Sequence, residues 1–386
     1  MRSQILALVT CSLVNAWGND GHSTVGNVAQ HYLNDHSKNV IAYLFPEYNG
    51  TLGTYDVNIS TATLDIPNWA DLIKANKSYA WAYNLHFVDT FDAPPSNCSY
   101  VDERDCPNNR CVTGAIANYT RLASCDAYTG LPKSDLQKDA IKFLAHFSGD
   151  ITQPLHVCNR SLGGNLISPV TFDGAQSKGK WTYNLHSLWD YYIPEKRINN
   201  DFGGDLKKFQ EYLVGKIDDD SFDEKVSTFL SDKGIYDLTK VGNSAMAVDW
   251  AVDTNFYDCS KVWGPVDADV KQDFGGAYYE SVIGTVEKQI AKGGYRLADL
   301  LNKALAHCKV PTQPPVQTQP AAKTTAPCTT ATGSNGNKPA PTTVGGYNAG
   351  KAYPTSTPAY GNKPIAASAM TSSVSIMALV ALLAAI

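Results

Sequence analysis

The sequence predicts a mainly α-helical, single-domain fold, and three observations carry that expectation. The segment "SDLQKDAIKFLAHFSGDITQPLH", residues 134–156, opens with Ser134 and Gln137 at capping-box spacing, repeats apolar residues at helical intervals and meets Pro154 as a stop. A second segment, "NLHSLWDYYIP", residues 184–194, repeats the pattern ahead of Pro194. From Trp17 to about Cys308 the composition is ordinary and aromatic-rich with no internal repeat, which is enough chain to bury one substantial core.

Taken in order, the 386-residue chain first shows Arg2, an apolar run from Ile5 to Val14 and the small residues Val14 and Ala16. That pattern is a secretory signal over residues 1–16, which makes Trp17 the mature N-terminus. Residues 17–308 form the expected globular domain. Nine cysteines become eight once Cys11 leaves with the leader, an even number suited to an oxidising compartment. Cys106 and Cys111 are spaced to close a short loop. Six glycosylation sequons, at Asn49, Asn58, Asn76, Asn97, Asn118 and Asn159, agree with secretion.

Beyond Lys309 the chain turns Pro/Thr/Ala-rich without an apolar face, so residues 309–368 read as a disordered stalk. Residues 369–386 end in "SVSIMALVALLAAI", preceded by the small residues Ala366, Ala367 and Ser368. This is the pattern of a glycosylphosphatidylinositol (GPI) attachment signal, and it implies a lipid-anchored protein at the extracellular cell surface. A net charge of −5 with no basic block excludes duplex DNA binding by phosphate neutralisation alone. It leaves open a nucleic-acid enzyme whose positive charge comes from metal cations.

The chemistry concentrates in the two helical segments. His146 and Asp150 stand four residues apart on one helix face, with Phe143 and Phe147 flanking it, and His156 follows just past the break. His186 and Asp190 repeat the spacing. Upstream, Asp71 in "IPNWAD" and His86 in "NLHFVDT" add two further candidates. One such His/Asp pair is more often a hydrogen-bonded structural couple. With His22 of "AWGNDGH", five of the eight histidines and three aspartates sit in short segments with helical or capped context, the nitrogen and oxygen donor set that zinc prefers.

These residues sit inside motifs that resemble a known family. "WGNDGHSTVGNVAQHYL", "IPNWAD", "NLHFVDT", "ERDCPNNRC", "AIANYT", "FLAHFSGDITQPLH", "GGN", "VTFDG", "NLHSLWD" and "IAKGGYRLADLLN" resemble, in order, the zinc-dependent single-strand-specific nucleases, whose helical fold is shared with bacterial zinc phospholipase C. The resemblance covers roughly Trp17 to Cys308 and implies a cleft holding three zinc ions. It implies that Asp71, His86, His146 and Asp150 hold the first, and that His156, His186 and Asp190 hold the second. The amine and carbonyl of Trp17, with His22 and Asp150, would hold the third. Asp150 would bridge two ions, and Gly18 and Gly21 suit a tight turn that brings Trp17 and His22 together. On this reading, cutting after Ala16 creates the ligating amine.

The resemblance further implies that Phe87 stacks on a base and Asp89 hydrogen-bonds it, with Leu162 and Asn165 in the same pocket and Tyr192 as a second nucleotide-contacting aromatic. Asp71 would orient the nucleophile. Lys74 stands where the family usually carries a phosphate-clamping arginine, keeping the charge without the bidentate fork. The disulfides Cys98 with Cys259 and Cys106 with Cys111 are implied as well, whereas nothing pairs Cys125, Cys158, Cys308 or Cys328. The loop "DGAQSKGKWTYNLH" is longer than the family pattern. Its Trp181 and Tyr183 are either packed aromatics, the commoner case, or new stacking surface.

The expected activity is hydrolysis of single-stranded DNA and RNA to products with 5′ phosphates, with 3′-nucleotidase activity on nucleotides, by a monomeric enzyme that meets a membrane only through its anchor. Two alternatives share parts of the pattern: a zinc phospholipase C, against which Phe87 and Asp89 count, and a non-catalytic zinc-binding surface protein.

Overall fold

The computed structural model describes residues 17–48, 50–53, 65–74, 76–128, 135–233 and 245–310. The leader, the stalk and the tail lie outside the described residues, as do Ser134, Cys328, Asn49 and Asn58. Helices dominate. In chain order they are α1 (Asn19–Tyr32), α2 (Asp35–Leu44), α3 (Trp69–Ile73), α4 (Asp102–Asp105), α5 (Val112–Ala123), α6 (Asp135–Asp150), α7 (Leu185–Ser187), α8 (Ile193–Phe202), α9 (Leu206–Asp218), α10 (Ala245–Tyr257), α11 (Trp263–Ala268) and α12 (Tyr279–Ala304). Among the described residues the strands amount to one hairpin, β1 (Ser177–Lys178) and β2 (Trp181–Thr182).

The core is built on α12. Its 26 residues run about 39 Å at the α-helical rise, and Val282, Val286, Ile290, Leu297 and Leu301 bury one stripe. α1 and α6 pack on α12, and α5 packs on α6. Phe143 and Phe147 stack on each other at 5.2 Å between ring centroids, and Tyr119 of α5 stacks on Phe143 at 4.6 Å, so the flanks of the His146 face are dry. No helix among the described residues is long and apolar enough to cross a membrane.

Two prolines behave differently from one another. α6 ends at Asp150, and Pro154 then opens a short 3-10 turn, Pro154–His156, so the helix stops before the proline as its sequence suggests. Pro194 does not stop a helix. The chain runs from α7 through a π turn, Leu188–Tyr192, into α8, with Pro194 in the first turn of α8. A proline is tolerated there because first-turn N–H groups need no intrahelical acceptor. The stop comes at Gly203, whose φ of +63° caps the helix.

Among the described residues three disulfides are formed: Cys98–Cys259, Cys106–Cys111 and Cys125–Cys308. The last joins the end of α5 to the segment after α12, a pairing the sequence left open. Cys158 is a buried free thiol, so the even count of cysteines does not translate into complete pairing among the described residues. Of the described sequons, Asn76 and Asn97 are exposed, while Asn118 and Asn159 are half-buried.

Candidate metal centre

The N-terminal segment is locked into the interior. Trp17 is fully buried, and its indole Nε1 donates to Thr152 Oγ1 at 3.1 Å. The Gly18 N–H donates to the carbonyl of Asp190 at 2.7 Å, and α1 begins at the next residue, which sets His22 in its first turns. Gly18 has an ordinary φ of −51°, so no tight left-handed turn is present. The glycines serve close approach instead. A Cβ on Gly18 would lie 2.2 Å from the Tyr191 ring, and one on Gly21 would lie 2.6 Å from Trp17 Cβ. Gly149 of α6 does the same for His22, whose Nδ1 would be 2.8 Å from a Cβ there.

Around this segment the predicted donors converge in three sets: His22, His146 and Asp150; Asp71, His86 and His146; and His156, His186 and Asp190. Within each set the candidate ligand atoms all lie within 4.8 Å of one another. His146 Nε2 stands 3.2 Å from Asp71 Oδ1 and 3.3 Å from Asp150 Oδ1. His86 Nδ1 is 2.9 Å from Asp150 Oδ2, and His22 Nε2 is 3.3 Å from Asp150 Oδ1. Asp150 therefore faces three imidazoles from three parts of the chain, and His146 belongs to two sets.

Backbone carbonyls orient three of the rings. His146 Nδ1 donates to Pro67 O at 2.6 Å, His156 Nδ1 to His86 O at 2.8 Å and His186 Nδ1 to Gly163 O at 2.6 Å. A carbonyl only accepts, so these Nδ1 atoms carry the hydrogen, and Nε2 is the atom that each ring turns inward. The Nε2 atoms of His156 and His186 consequently face each other at 3.2 Å, with Asp190 Oδ2 3.2 Å from His186 Nε2. Among the described residues, His22 Nε2, His146 Nε2 and Asp150 Oδ1 are buried without a hydrogen-bond partner. Electron pairs packed this closely repel unless a cation lies among them, so the donor set fits divalent metal with nitrogen and oxygen ligands.

The electrostatics agree. Burial, and then the charge on His146, holds His22 well below the usual imidazole range; His86 and His156 are likewise depressed, first by burial. These are the neutral rings that a metal needs. Burial pushes the Asp150 carboxyl well above the carboxylate range. Burial acts against His146 and His186, yet the carboxylates beside them, led by Asp150 and Asp190, hold both above the usual value. The carboxylates thus draw positive charge into a pocket that burial keeps dry.

A family model described as "S1/P1 Nuclease" matches residues 17–306. This chain belongs to the S1/P1 nuclease family. It is 37% identical to Nuclease P1 of Penicillium citrinum, over 74% of this chain and 97% of that protein. Nuclease S1 of Aspergillus oryzae is 32% identical over 76% of this chain and 94% of its own length, and Endonuclease 3 of Arabidopsis thaliana is 30% identical over 77% and 92%. The protein is accordingly a phosphodiester-hydrolysing nuclease.

In this S1/P1 nuclease the remaining predicted residues lie close in sequence to the donor residues. Lys74 is covered, with its ammonium 2.5 Å from Asp71 Oδ1. Phe87 is half-buried with Tyr83 edge-on at 6.1 Å, and Asp89 is exposed. The Val88 N–H between them donates to His156 O at 2.8 Å, which ties this stretch to the His156 turn. On the other flank of that turn, Leu162 is 59% exposed, and Asn165 Nδ2 donates to Leu162 O at 2.9 Å. Gly163, between them, supplies the carbonyl that holds His186. Tyr192 is half-buried, 4.4 Å from the Tyr183 ring. The long loop divides its aromatics: Tyr183 is packed, whereas Trp181 on β2 is 62% exposed.

Several positioning groups escaped the sequence reading. Gln153 Nε2 donates to Asp190 Oδ1 at 2.7 Å, and it sits in the quoted "DITQPLH" motif, of which the sequence singles out Asp150, Pro154 and His156. Ser23 donates to Asp65 Oδ2, and Asn68 Nδ2 donates to Asp65 Oδ1 at 2.6 Å, which fastens α1 to the turn whose Pro67 carbonyl holds His146. A carbonyl has no residue-type signature, so no sequence signal marks Pro67, His86 or Gly163 for this role.

Proposed function

We propose that this chain is a secreted, zinc-dependent endonuclease that cuts single-stranded DNA and RNA to products with 5′ phosphates and acts as a 3′-nucleotidase on nucleotides. The observation that carries the reading is the convergence of eight His and Asp side chains, seven of them buried and Asp71 half-buried, into three donor sets. Asp71, His86, His146 and Asp150 would hold one zinc, and His156, His186 and Asp190 a second. Trp17, His22 and Asp150 would hold a third, with Asp150 shared. When bound, the ions supply positive charge for the phosphate and bring water into its reactive range near neutral pH.

The chain's own residues do the rest. Asp71 accepts a hydrogen bond from the attacking water and orients it toward phosphorus. Lys74, held beside Asp71, places a point charge for a phosphate oxygen. Phe87 offers a half-buried face for stacking, and Asp89 an exposed acceptor for a base edge. Leu162 and Asn165 close the same pocket, and Tyr192 receives a neighbouring base. A base stacked in a duplex cannot reach Phe87, which accounts for single-strand preference.

The leader, the exposed sequons Asn76 and Asn97 and the three disulfides support an extracellular site of action. The surface anchor rests on the sequence of residues 369–386 alone. The deciding experiment assays single-stranded DNA, RNA and phosphatidylcholine with chelator and after zinc return. Zinc-restored hydrolysis of both nucleic acids is expected. Full activity in strong chelator, or turnover of phosphatidylcholine alone, would overturn the reading.

A further inference from the structure

We infer that Pro194 is a positioning residue: by leaving the carbonyl of Asp190 without its α-helical donor, it provides the acceptor on which the N-terminal segment hangs. In an α-helix the carbonyl of residue 190 would receive the N–H of residue 194, and proline has none. The π turn takes away the donor of a 3-10 pattern as well, since the Ile193 N–H is directed to Leu188 O. The freed Asp190 carbonyl instead accepts from the buried Gly18 N–H at 2.7 Å, and the Tyr191 ring packs where a side chain on Gly18 would have been.

Asp190 thereby serves two groups. Its carboxylate, held by Gln153, faces His186, while its carbonyl fixes the backbone four residues before His22. The spacing between the His156/His186 set and the His22 set is therefore referenced to one residue. An alanine at 194 restores an N–H that competes for the same carbonyl. The buried Gly18 N–H then loses its partner, an arrangement that folded chains avoid.

The consequence for zinc rests on the three-ion reading above, whereas the hydrogen bond does not. The test compares wild type, Pro194→Ala and Pro265→Ala, each as the protein beginning at Trp17. Pro265 also follows a π turn, Asp258–Val262, so its replacement controls for the generic effect of removing a proline. Amide exchange at Gly18 is read by NMR with zinc and again after chelation, and zinc per molecule is measured after dialysis. In Pro194→Ala, Gly18 exchange should accelerate at least about tenfold in both conditions, and zinc should fall from three toward two, while Pro265→Ala matches wild type.

Equal Gly18 exchange in wild type and Pro194→Ala overturns the proposal, as does accelerated exchange with zinc still at three. Should Pro194→Ala fail to fold, wild type still decides: an unprotected Gly18 amide there overturns the hydrogen bond itself. A wild type that binds fewer than three zinc ions counts against the three-ion reading and is seen before any variant is compared.

Discussion

Gly149→Ala separates the metal centre from the stability of the fold. Gly149 lies in α6 one residue before Asp150, and an added Cβ would sit 2.8 Å from His22 Nδ1, 3.0 Å from its Cε1 and 3.5 Å from Val25 Cγ2. A carbon needs about 3.5 Å from such atoms, so the imidazole must retreat by roughly half an ångström from a position 3.3 Å from Asp150 Oδ1. Alanine gains about 1 kcal/mol over glycine in a helix interior, and overpacking costs about 1–3 kcal/mol. The net is a loss of about 0–2 kcal/mol, which a folded domain of this size tolerates. A displacement of that order in a reacting constellation costs on the order of tenfold to a hundredfold in rate. Thermal unfolding, zinc per molecule and kcat on single-stranded DNA are measured for Gly149→Ala and for Gly284→Ala, an exposed α12 position where an added Cβ meets nothing within 4 Å. The expected outcome is a near-native melting temperature with one zinc weakened and kcat reduced in Gly149→Ala, and an unaffected site in Gly284→Ala. Full zinc and full kcat in Gly149→Ala would refute the tight seating of His22.

Four further outcomes are expected. Asp150→Asn loses more zinc than Asp190→Asn, because Asp150 faces His22, His86 and His146 together; equal metal content would remove the bridge. Lys74→Ala lowers kcat with zinc retained, and Lys74→Arg keeps or raises it by restoring a forked donor; an unchanged rate in the alanine variant excludes Lys74 from the reaction. A chain starting at Ala16 replaces the Trp17 amine with an amide, whose lone pair is delocalised; it should bind the third zinc weakly and turn over slowly, and equality with a chain starting at Trp17 returns that segment to a purely structural role. Asp258 is fully buried, and burial, with Asp92 adding to it, holds its carboxyl well above the usual range. A raised folded-state value means that its contribution is intact below the ordinary carboxylate pKa and is lost as pH rises toward the folded value. Asp258→Asn keeps an oxygen for Trp263 Nε1, which donates to Asp258 Oδ1 at 3.1 Å, and should gain stability over wild type as pH rises through neutrality. Urea unfolding at pH 5 and pH 8 checks the sign.

Much of the site is legible in the linear order of residues because helical geometry is local. A His and an Asp four apart share a face wherever a helix forms, so His146 with Asp150 and His186 with Asp190 follow from spacing alone. The apolar period of residues 135–150 is equally local, and it places α6. Only the tertiary structure decided what these faces meet. His146 joins two donor sets because Pro67 O, 79 residues away in sequence, fixes its ring. Gly18 and Gly149 are glycines because other chains of atoms pass too close for a Cβ, a fact set by Tyr191 and His22. Cys125 finds Cys308 because α5 and the end of α12 converge, and Pro194 starts a helix turn that its sequence suggested it would stop. The physical reason is common to all of these. Periodicity encodes which way a side chain points within its own element, whereas carbonyl partners, close approaches and shared ligands depend on where distant elements pack, and no residue type announces that in advance.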